Sequence, residues 1–265
     1  MKNYENSAIV ETDALSVTGK QLEKHVRTHG ARHTATTEGK RWMLTLSREN
    51  PSVRKSSNGL EALREQLEFL RGGTGTLTWD QLYGLRRSLL SIEDFPAGVT
   101  HPNGFSKITI WTSSDKARSI RVHVWPEGTV GNDANIHGHA WNFTSVILEG
   151  TLMQEKYSAH DSLDGNYCLE YYRPGSGLPL MYGTSLFNLQ VTSTDALNEK
   201  DYYSFKRDEI HQIRKASKGA AVSIVLTWDR MTDVAVPVYR NRTASNDYEY
   251  SSDLEIGDKL KKTLS

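Results

Sequence analysis

Two histidines separated by one glycine form a pattern that could bind a metal ion. His137, Gly138 and His139 stand shortly before the apolar run Val146-Ile147-Leu148, which Glu149-Gly150 closes. Side chains two positions apart on a β-strand point to the same face. Both imidazoles can therefore present a nitrogen to one ion. The stretch predicts a buried strand that supplies metal ligands and ends in a turn.

A third histidine much later in the chain could complete the site. His211 follows the polar turn Lys206-Arg207-Asp208-Glu209 and begins another short apolar stretch, where a distant strand could return to the first pair. Neutral imidazoles suit Fe, Zn, Cu and Ni rather than Mg or Ca. Three of them on rigid strands would leave several positions of the ion open for a substrate and a second reactant.

The composition limits the classes of partner. The chain has 265 residues, with 32 Lys and Arg against 32 Asp and Glu, so no net charge attracts it to nucleic acid or to an anionic membrane. A small molecule is the expected partner. The single cysteine, Cys168, excludes an intramolecular disulfide, and no apolar run has the length of a signal peptide or a spanning helix. We expect a soluble, cytoplasmic protein.

The elements that must position the histidines are mainly strands. From Phe105 onward apolar residues recur with period two, for example in 107–111 and 120–125, and Gly- and Asp-rich turns separate the runs. Many short strands at regular spacing indicate a sandwich or a small barrel, and a double-sheet jelly roll fits best. The predicted fold class is an all-β core with helices on its N-terminal side.

Two leucine stripes predict the flanking helices. The first has Leu60, Leu63, Leu67 and Leu70 after a Ser57-Asn58 cap, and the second has Leu82, Leu85 and Leu89 after Thr78. A further helix is expected near residues 16–28. We therefore divide the chain into a polar N-terminal extension with helices (1–75), a barrel domain (76–240) and a polar C-terminal tail (241–265).

The histidine stretches resemble the motifs of the cupin superfamily. Residues 128–150 are similar to the first cupin motif, and the stretch around His211 occupies the place of the second. The resemblance implies a cupin-type double-stranded β-helix. In that motif a glutamate usually follows the histidine pair as a fourth ligand, but its place falls here on Phe143, with Thr144 next. A metal site of three histidines, His137, His139 and His211, is implied.

Within the cupins, the chain resembles the cysteine dioxygenase (thiol dioxygenase) group over roughly residues 80–228. The similarity rests on the order of the Tyr83 to Leu90 segment, Gly104-Phe105, Val124 to Gly128 and the histidine pair. It implies an Fe²⁺ site that uses O2 on a small thiol or amino acid. In the family an arginine binds the substrate carboxylate, and Arg87, or failing that Arg86, matches it here; a surface helix arginine is the plainer interpretation.

The chain also departs from that group. The family's late Ser-X-His-X-Tyr pattern is Ser223-Ile224-Val225-Leu226-Thr227 here, so only the serine remains and cysteine is a doubtful substrate. Trp125, Trp141 and Phe143 would form an aromatic pocket wall for a larger or less polar molecule, or would be ordinary core aromatics.

Three functions remain open at this point. The first is an Fe²⁺-dependent dioxygenase, an oxidoreductase, although other divalent transition metals would suit the same ligands. The second is a metal-dependent isomerase, lyase or hydrolase in which the ion acts only as a Lewis acid. The third is a non-catalytic cupin that binds a small ligand. A strand predicted at residues 41–46 could pair across a homodimer.

Overall fold

The computed structural model describes residues 32–33, 44–45, 57–101, 103–127, 136–172, 179–216, 218–231, 236–242 and 251–265. The chain divides into two compact units, Met1–Val53 and Arg54–Ser265. In the first unit, strands β1 (Arg32–His33) and β2 (Leu44–Thr45) form an antiparallel pair. The helix expected near residues 16–28 lies outside the described residues.

The second unit is built mainly of strands. Its helices are α1 (Ser57–Leu70), α2 (Trp79–Leu90) and α3 (Ile256–Leu264). Its strands are, in chain order, β3 (Gly75–Thr76), β4 (Gly98–His101), β5 (Phe105–Thr112), β6 (Ser119–Trp125), β7 (Ile136–His137), β8 (Asn142–Glu149), β9 (Thr151–Ser162), β10 (Tyr167–Tyr172), β11 (Pro179–Asn198), β12 (Asp201–Phe205), β13 (Ile210–Lys215), β14 (Ala221–Trp228), β15 (Val236–Asn241) and β16 (Ser251–Asp253).

These strands form two antiparallel systems. Six of them close into a ring in the order β10-β11-β9-β13-β7-β15. The other eight form a sheet in the order β16-β4-β5-β6-β14-β8-β12-β3. Together with the helices, this arrangement confirms the prediction of an all-β core, with a closed ring of strands, and flanking helices.

The two faces of the eight-stranded sheet have different neighbours. On β14, Val222, Ile224 and Leu226 belong to the apolar cluster that includes the helices, whereas Ala221 and Val225 belong to a second cluster with Phe143 and other aromatic residues. Alternate residues of a strand point to opposite faces. The sheet is therefore covered by helices on one face and encloses an aromatic interior on the other.

Both leucine stripes form the predicted helices. Leu63 and Leu67 in α1, and Leu82 and Leu89 in α2, have no exposed surface. Thr78 caps α2, because its hydroxyl accepts a hydrogen bond from the Gln81 backbone N–H at 3.3 Å while its own N–H donates to Gln81 Oε1 at 2.8 Å. The helices cover the outer face of the sheet and leave the inner face for the site.

The C-terminal residues differ from the polar tail that the composition suggests. Strand β16 pairs with β4, and α3 buries Ile256, Leu260 and Leu264 in the cluster shared with α1 and α2. Four-residue spacing places these side chains on one helical face, so three apolar residues suffice to dock a largely polar helix. Among the described residues, no helix is long and apolar enough to cross a membrane.

Candidate metal centre

Strand pairing brings the three predicted ligands together. His137 in β7 lies directly opposite His211 in β13. The chain between the first two histidines is held by its backbone, since Gly138 N–H donates to Pro237 O at 2.9 Å and His139 N–H donates to Arg207 O at 3.3 Å. A Cβ atom at Gly138 would stand 3.0 Å from the ring of Pro237, so a larger residue between the ligands would press on that ring.

The geometry of the three imidazoles fits one ion. One nitrogen of each ring lies within 4.8 Å of the others, and His139 Nε2 is 2.8 Å from His211 Nε2. Two ligands at ~2.1 Å from an ion are ~3 Å apart when they meet at a right angle. Three imidazole nitrogens form a suitable donor set for a divalent transition metal. The described residues therefore supply a three-histidine site.

Burial keeps two of the histidines neutral. Desolvation, and next the neighbouring charge of His137, lower the pKa of His139 well below 6.5. The same two causes, in the same order, lower the pKa of His211. Because a metal binds the neutral imidazole, this environment prepares both rings for coordination without competition from a proton.

Aromatic rings surround the ligands where a carboxylate could have stood. Phe143 is 5% exposed, and its ring centroid lies 5.1 Å from that of His139 and 5.8 Å from that of His211. Phe205 is closer still to His211, at 4.2 Å between centroids. Within the described part of the chain, no carboxylate joins the cluster. The site is therefore enclosed by apolar surface next to its ligands.

One polar residue beside the ligands, Gln154, belongs to no recognisable sequence motif. Gln154 in β9 is 2% exposed, and its side-chain amide lies 3.4 Å from His211 Nδ1. In the structure the Gln154 amide nitrogen faces Nδ1 and donates to it. For His211 to bind a metal through Nε2, Nδ1 must carry the proton, and a half-turn of the Gln154 amide then brings Oε1 to accept it. The only indication in the sequence is a glutamine at an inward position of an alternating strand.

The three predicted pocket aromatics lie at different distances from the histidines. Trp141 is next to them, with its ring 5.4 Å from that of His139, and Phe143 touches two of them. Trp125 is one ring further away: it packs against Phe105 at 5.0 Å and His123 at 5.9 Å. Trp141 and Phe143 thus line the centre, and Trp125 supports its wall.

The two predicted arginines are placed elsewhere. Arg86 Nε donates to Leu148 O at 2.9 Å, and its Nη2 donates to Glu149 and Glu199, each at 2.7 Å. These partners stand at or just beyond the end of β8 that is remote from Phe143. Arg87 is exposed on α2. The structure does not bring either side chain to the histidines, so their role in substrate binding stays a prediction, and Arg86 ties α2 to the sheet.

Strand β14 does not have the role that the Ser-X-His-X-Tyr pattern would give it. Val225 faces the aromatic interior with Phe143. The Thr227 hydroxyl is 2.8 Å from the Ser119 hydroxyl and accepts a hydrogen bond from the Ser119 N–H at 3.1 Å. These positions carry packing and strand pairing, and neither supplies a phenol or an imidazole to the centre.

The interior also contains cations that no sequence motif indicated. Arg121 in β6 alternates with aliphatic residues and lies with its guanidinium 4.4 Å from the ring of Trp141. Arg230, just after β14, lies 5.7 Å from the same ring. The period-two pattern placed Arg121 on one face with His123 and Trp125, but only the fold shows that this face points inward.

Comparison with known proteins gives structural likeness only. No family model matches the chain, and no curated protein sequence matches it. Among solved structures, the hydroxypropylphosphonic acid epoxidase of S. wedmorenis aligns with 66% of this chain and 98% of its own, at 14% identity and a TM-score of 0.33. An oxalate oxidase in complex with glycolate aligns with 51% of this chain at 14% identity and a TM-score of 0.32.

The Cnp3 cupin domain of Schizosaccharomyces pombe aligns with 47% of this chain at 9% identity and a TM-score of 0.30. The chain spans 55% of the oxalate oxidase chain and 61% of the Cnp3 domain. Likeness at these values does not transfer an activity.

Proposed function

We propose that this chain is a metal-dependent oxygenase of cupin type that uses Fe²⁺ and O2 to oxidise a small molecule, as thiol and amino-acid dioxygenases do. The observation that carries the proposal is the cluster of His137, His139 and His211, in which two ring nitrogens lie 2.8 Å apart, with Phe143 in the place of a carboxylate ligand.

The three histidines would hold the ion without neutralising it. Their neutral rings contribute no negative charge, so a divalent ion keeps its full charge and attracts an anionic substrate atom. Bound Fe²⁺ would supply the one-electron chemistry that O2 requires. Gln154, whose amide lies 3.4 Å from His211 Nδ1, would fix the orientation of His211 once the amide is turned so that Oε1 accepts the Nδ1–H.

The aromatic side chains would exclude water and shape the substrate space. Phe143 and Phe205 pack against His211, and Trp141 lies against His139. A low-polarity wall strengthens electrostatic interactions inside the site and limits the substrate to molecules with an apolar surface. Val225 stands where the family would place a histidine, which argues against cysteine as the substrate.

Metal analysis and oxygen consumption test the proposal. Protein purified without added metal would be analysed for transition metals, and Fe²⁺-loaded protein would be assayed for O2 uptake with a panel of thiols and amino acids. We expect about one ion per chain in the wild type and less than about a tenth of that in His139→Ala and His211→Ala. His160→Ala is the matched control, because His160 is an exposed histidine of β9.

Two results would overturn the proposal in different ways. Unchanged metal content in both His139→Ala and His211→Ala would show that these histidines do not bind the metal, and would reject the proposed metal centre. Metal binding without substrate-dependent O2 uptake across the panel would favour the Lewis-acid reading, an isomerase, lyase or hydrolase that uses the same three ligands.

A further inference from the structure

Three cationic side chains gather on the inner face of the sheet. Lys107 in β5 lies opposite His123 of β6, Arg121 stands two residues before His123 on the same face, and Arg230 follows β14. These strands are neighbours in the sheet, in the order β5-β6-β14. We call Lys107, Arg121 and Arg230 the cationic cluster.

Trp141 connects the cationic cluster to the metal centre. Its ring lies 4.4 Å from the guanidinium of Arg121, 5.7 Å from that of Arg230 and 5.4 Å from the ring of His139. The charges of Arg121 and Arg230 are therefore about one aromatic ring away from a metal ligand. A small molecule that reaches the ion could place its other end among them.

The cationic cluster has no counter-ion within the described part of the chain. Several other buried or half-buried cations of the fold pair with acids, for example Arg86 with Glu149 and Arg240 with Glu170. In contrast, no carboxylate among the described residues pairs with a member of the cluster, and the Nε atoms of Arg121 and Arg230 are buried without a hydrogen-bond acceptor there.

Such an arrangement is costly for the protein alone. A buried cation loses its hydration and is normally retained only when it is paired. Attraction to the face of Trp141 offsets a part of that loss, because a cation–π contact is weaker than a buried ion pair. An anion bound from outside the chain would supply the missing partner.

The pKa values agree with crowding of like charges. Burial, and then the charges of Arg121 and Arg230, lower the pKa of Lys107 to about 8. Burial and the charge of Arg230 lower the pKa of Arg121 to about 10. An anion among these groups would oppose both shifts and raise both pKa values, since it favours the charged form of each cation.

We propose that Lys107, Arg121 and Arg230 bind the anionic end of the substrate, and that this end is doubly charged, as in a phosphate monoester or a dicarboxylate. Three cations around one negative charge would leave two uncompensated, whereas a dianion leaves one. Guanidinium groups bind phosphate or carboxylate oxygens in pairs. The assignment rests on the proposed function only in identifying this anion as the substrate of the metal centre.

Probe binding to the full-length chain tests the cationic cluster separately from the metal. Inorganic phosphate, malonate and acetate would be titrated calorimetrically into the wild type and into His211→Ala. We expect phosphate or malonate, whichever class the site takes, to bind at least about tenfold more tightly than acetate. Both proteins should behave alike, because His211 lies outside the cluster.

Substitutions then assign the binding to particular residues. Arg121→Met and Lys107→Met should each weaken binding of the preferred dianion at least about tenfold. Arg118→Met is the matched control, since Arg118 is exposed and pairs with Glu68 at 3.0 Å. The melting temperature without probe should not fall in Arg121→Met, because an unpaired buried charge is removed, and its rise with phosphate or malonate should be lost.

The outcomes separate the two proposals. Dianions that bind no more tightly than acetate, or bind Arg121→Met and Lys107→Met as well as the wild type, would overturn the cationic cluster as a binding site whatever the metal content. Dianion binding by a wild-type protein that binds no metal and shows no O2 uptake would support the cluster and reject the oxygenase.

Discussion

His139 Nε2 and His211 Nε2 lie 2.8 Å apart, although 72 residues separate the two histidines along the chain. Pairing of β13 with β7 sets His211 opposite His137, and the backbone bond from His139 N–H to Arg207 O holds the second ligand beside it. The centre is thus fixed by strands and a short turn, which preorganises the ligands better than free loops would.

Replacing Phe143 with glutamate should add a metal ligand at a cost. A carboxylate buried among Phe205, Tyr203 and the histidines is unfavourable without an ion, so Phe143→Glu should lower the melting temperature of the metal-free protein. With Zn²⁺ present, the carboxylate gains a partner, and the metal-induced rise in melting temperature should exceed that of the wild type.

Ile147→Glu is the control for this substitution. Ile147 is fully buried on the inner face of the same strand, but stands four positions further along β8. The Ile147→Glu variant should lose as much stability without metal as Phe143→Glu, but Zn²⁺ should raise its melting temperature no more than that of the wild type. An equal metal effect in the two variants would show that position 143 does not face the ion.

Gln154 should control metal affinity without binding the metal. Gln154→Leu removes the amide that lies 3.4 Å from His211 Nδ1, so the ring loses the hydrogen bond that fixes its orientation. Metal affinity, measured by competition with a chromophoric chelator, should fall ~10- to 100-fold. Gln190→Leu, at an exposed position of β11, should leave affinity unchanged. Wild-type affinity in Gln154→Leu would exclude the positioning role.

His123 should make the stability depend on pH in a defined direction. Burial, and then the charges of Lys107 and Arg121, lower its pKa well below 6.5 in the folded chain. Below pH 6.5 the unfolded chain therefore binds a proton that the folded chain does not, and the free energy of unfolding falls as the pH falls. The fall is ~1.4 kcal/mol per pH unit until the folded-state pKa is reached.

His123→Phe removes this contribution and keeps a ring against Phe105 and Trp125. Urea unfolding of the metal-free proteins would be measured at about pH 7.5 and about pH 5.5. Between these two values the free energy of unfolding of His123→Phe should fall by ~1 kcal/mol less than that of the wild type. His160→Phe, at an exposed position, should follow the wild type. Equal pH dependence of His123→Phe and the wild type would contradict a neutral buried His123.

The sequence already contained the local features of the fold. Apolar residues three and four apart in 60–70 and 82–89 predicted α1 and α2, and period-two patterns predicted the strands. The same local rule placed His137 and His139 close together, and the resemblance to the first cupin motif put Phe143 at the position where that motif has a carboxylate ligand. The C-terminal helix was missed, because Ile256, Leu260 and Leu264 are few among polar residues and reveal their role only when docked.

The tertiary structure decided what distant residues do to one another. Register between β7 and β13 made His211 a neighbour of His137, and pairing of β9 with β13 set Gln154 beside it. Packing of the inner face of the eight-stranded sheet set Arg121 against Trp141, and α2 carried Arg86 to Glu149. Periodicity is a local property that one stretch of sequence determines, whereas strand register depends on all the partners of a sheet. The sequence therefore determined which side chains could act, and the fold decided which of them meet.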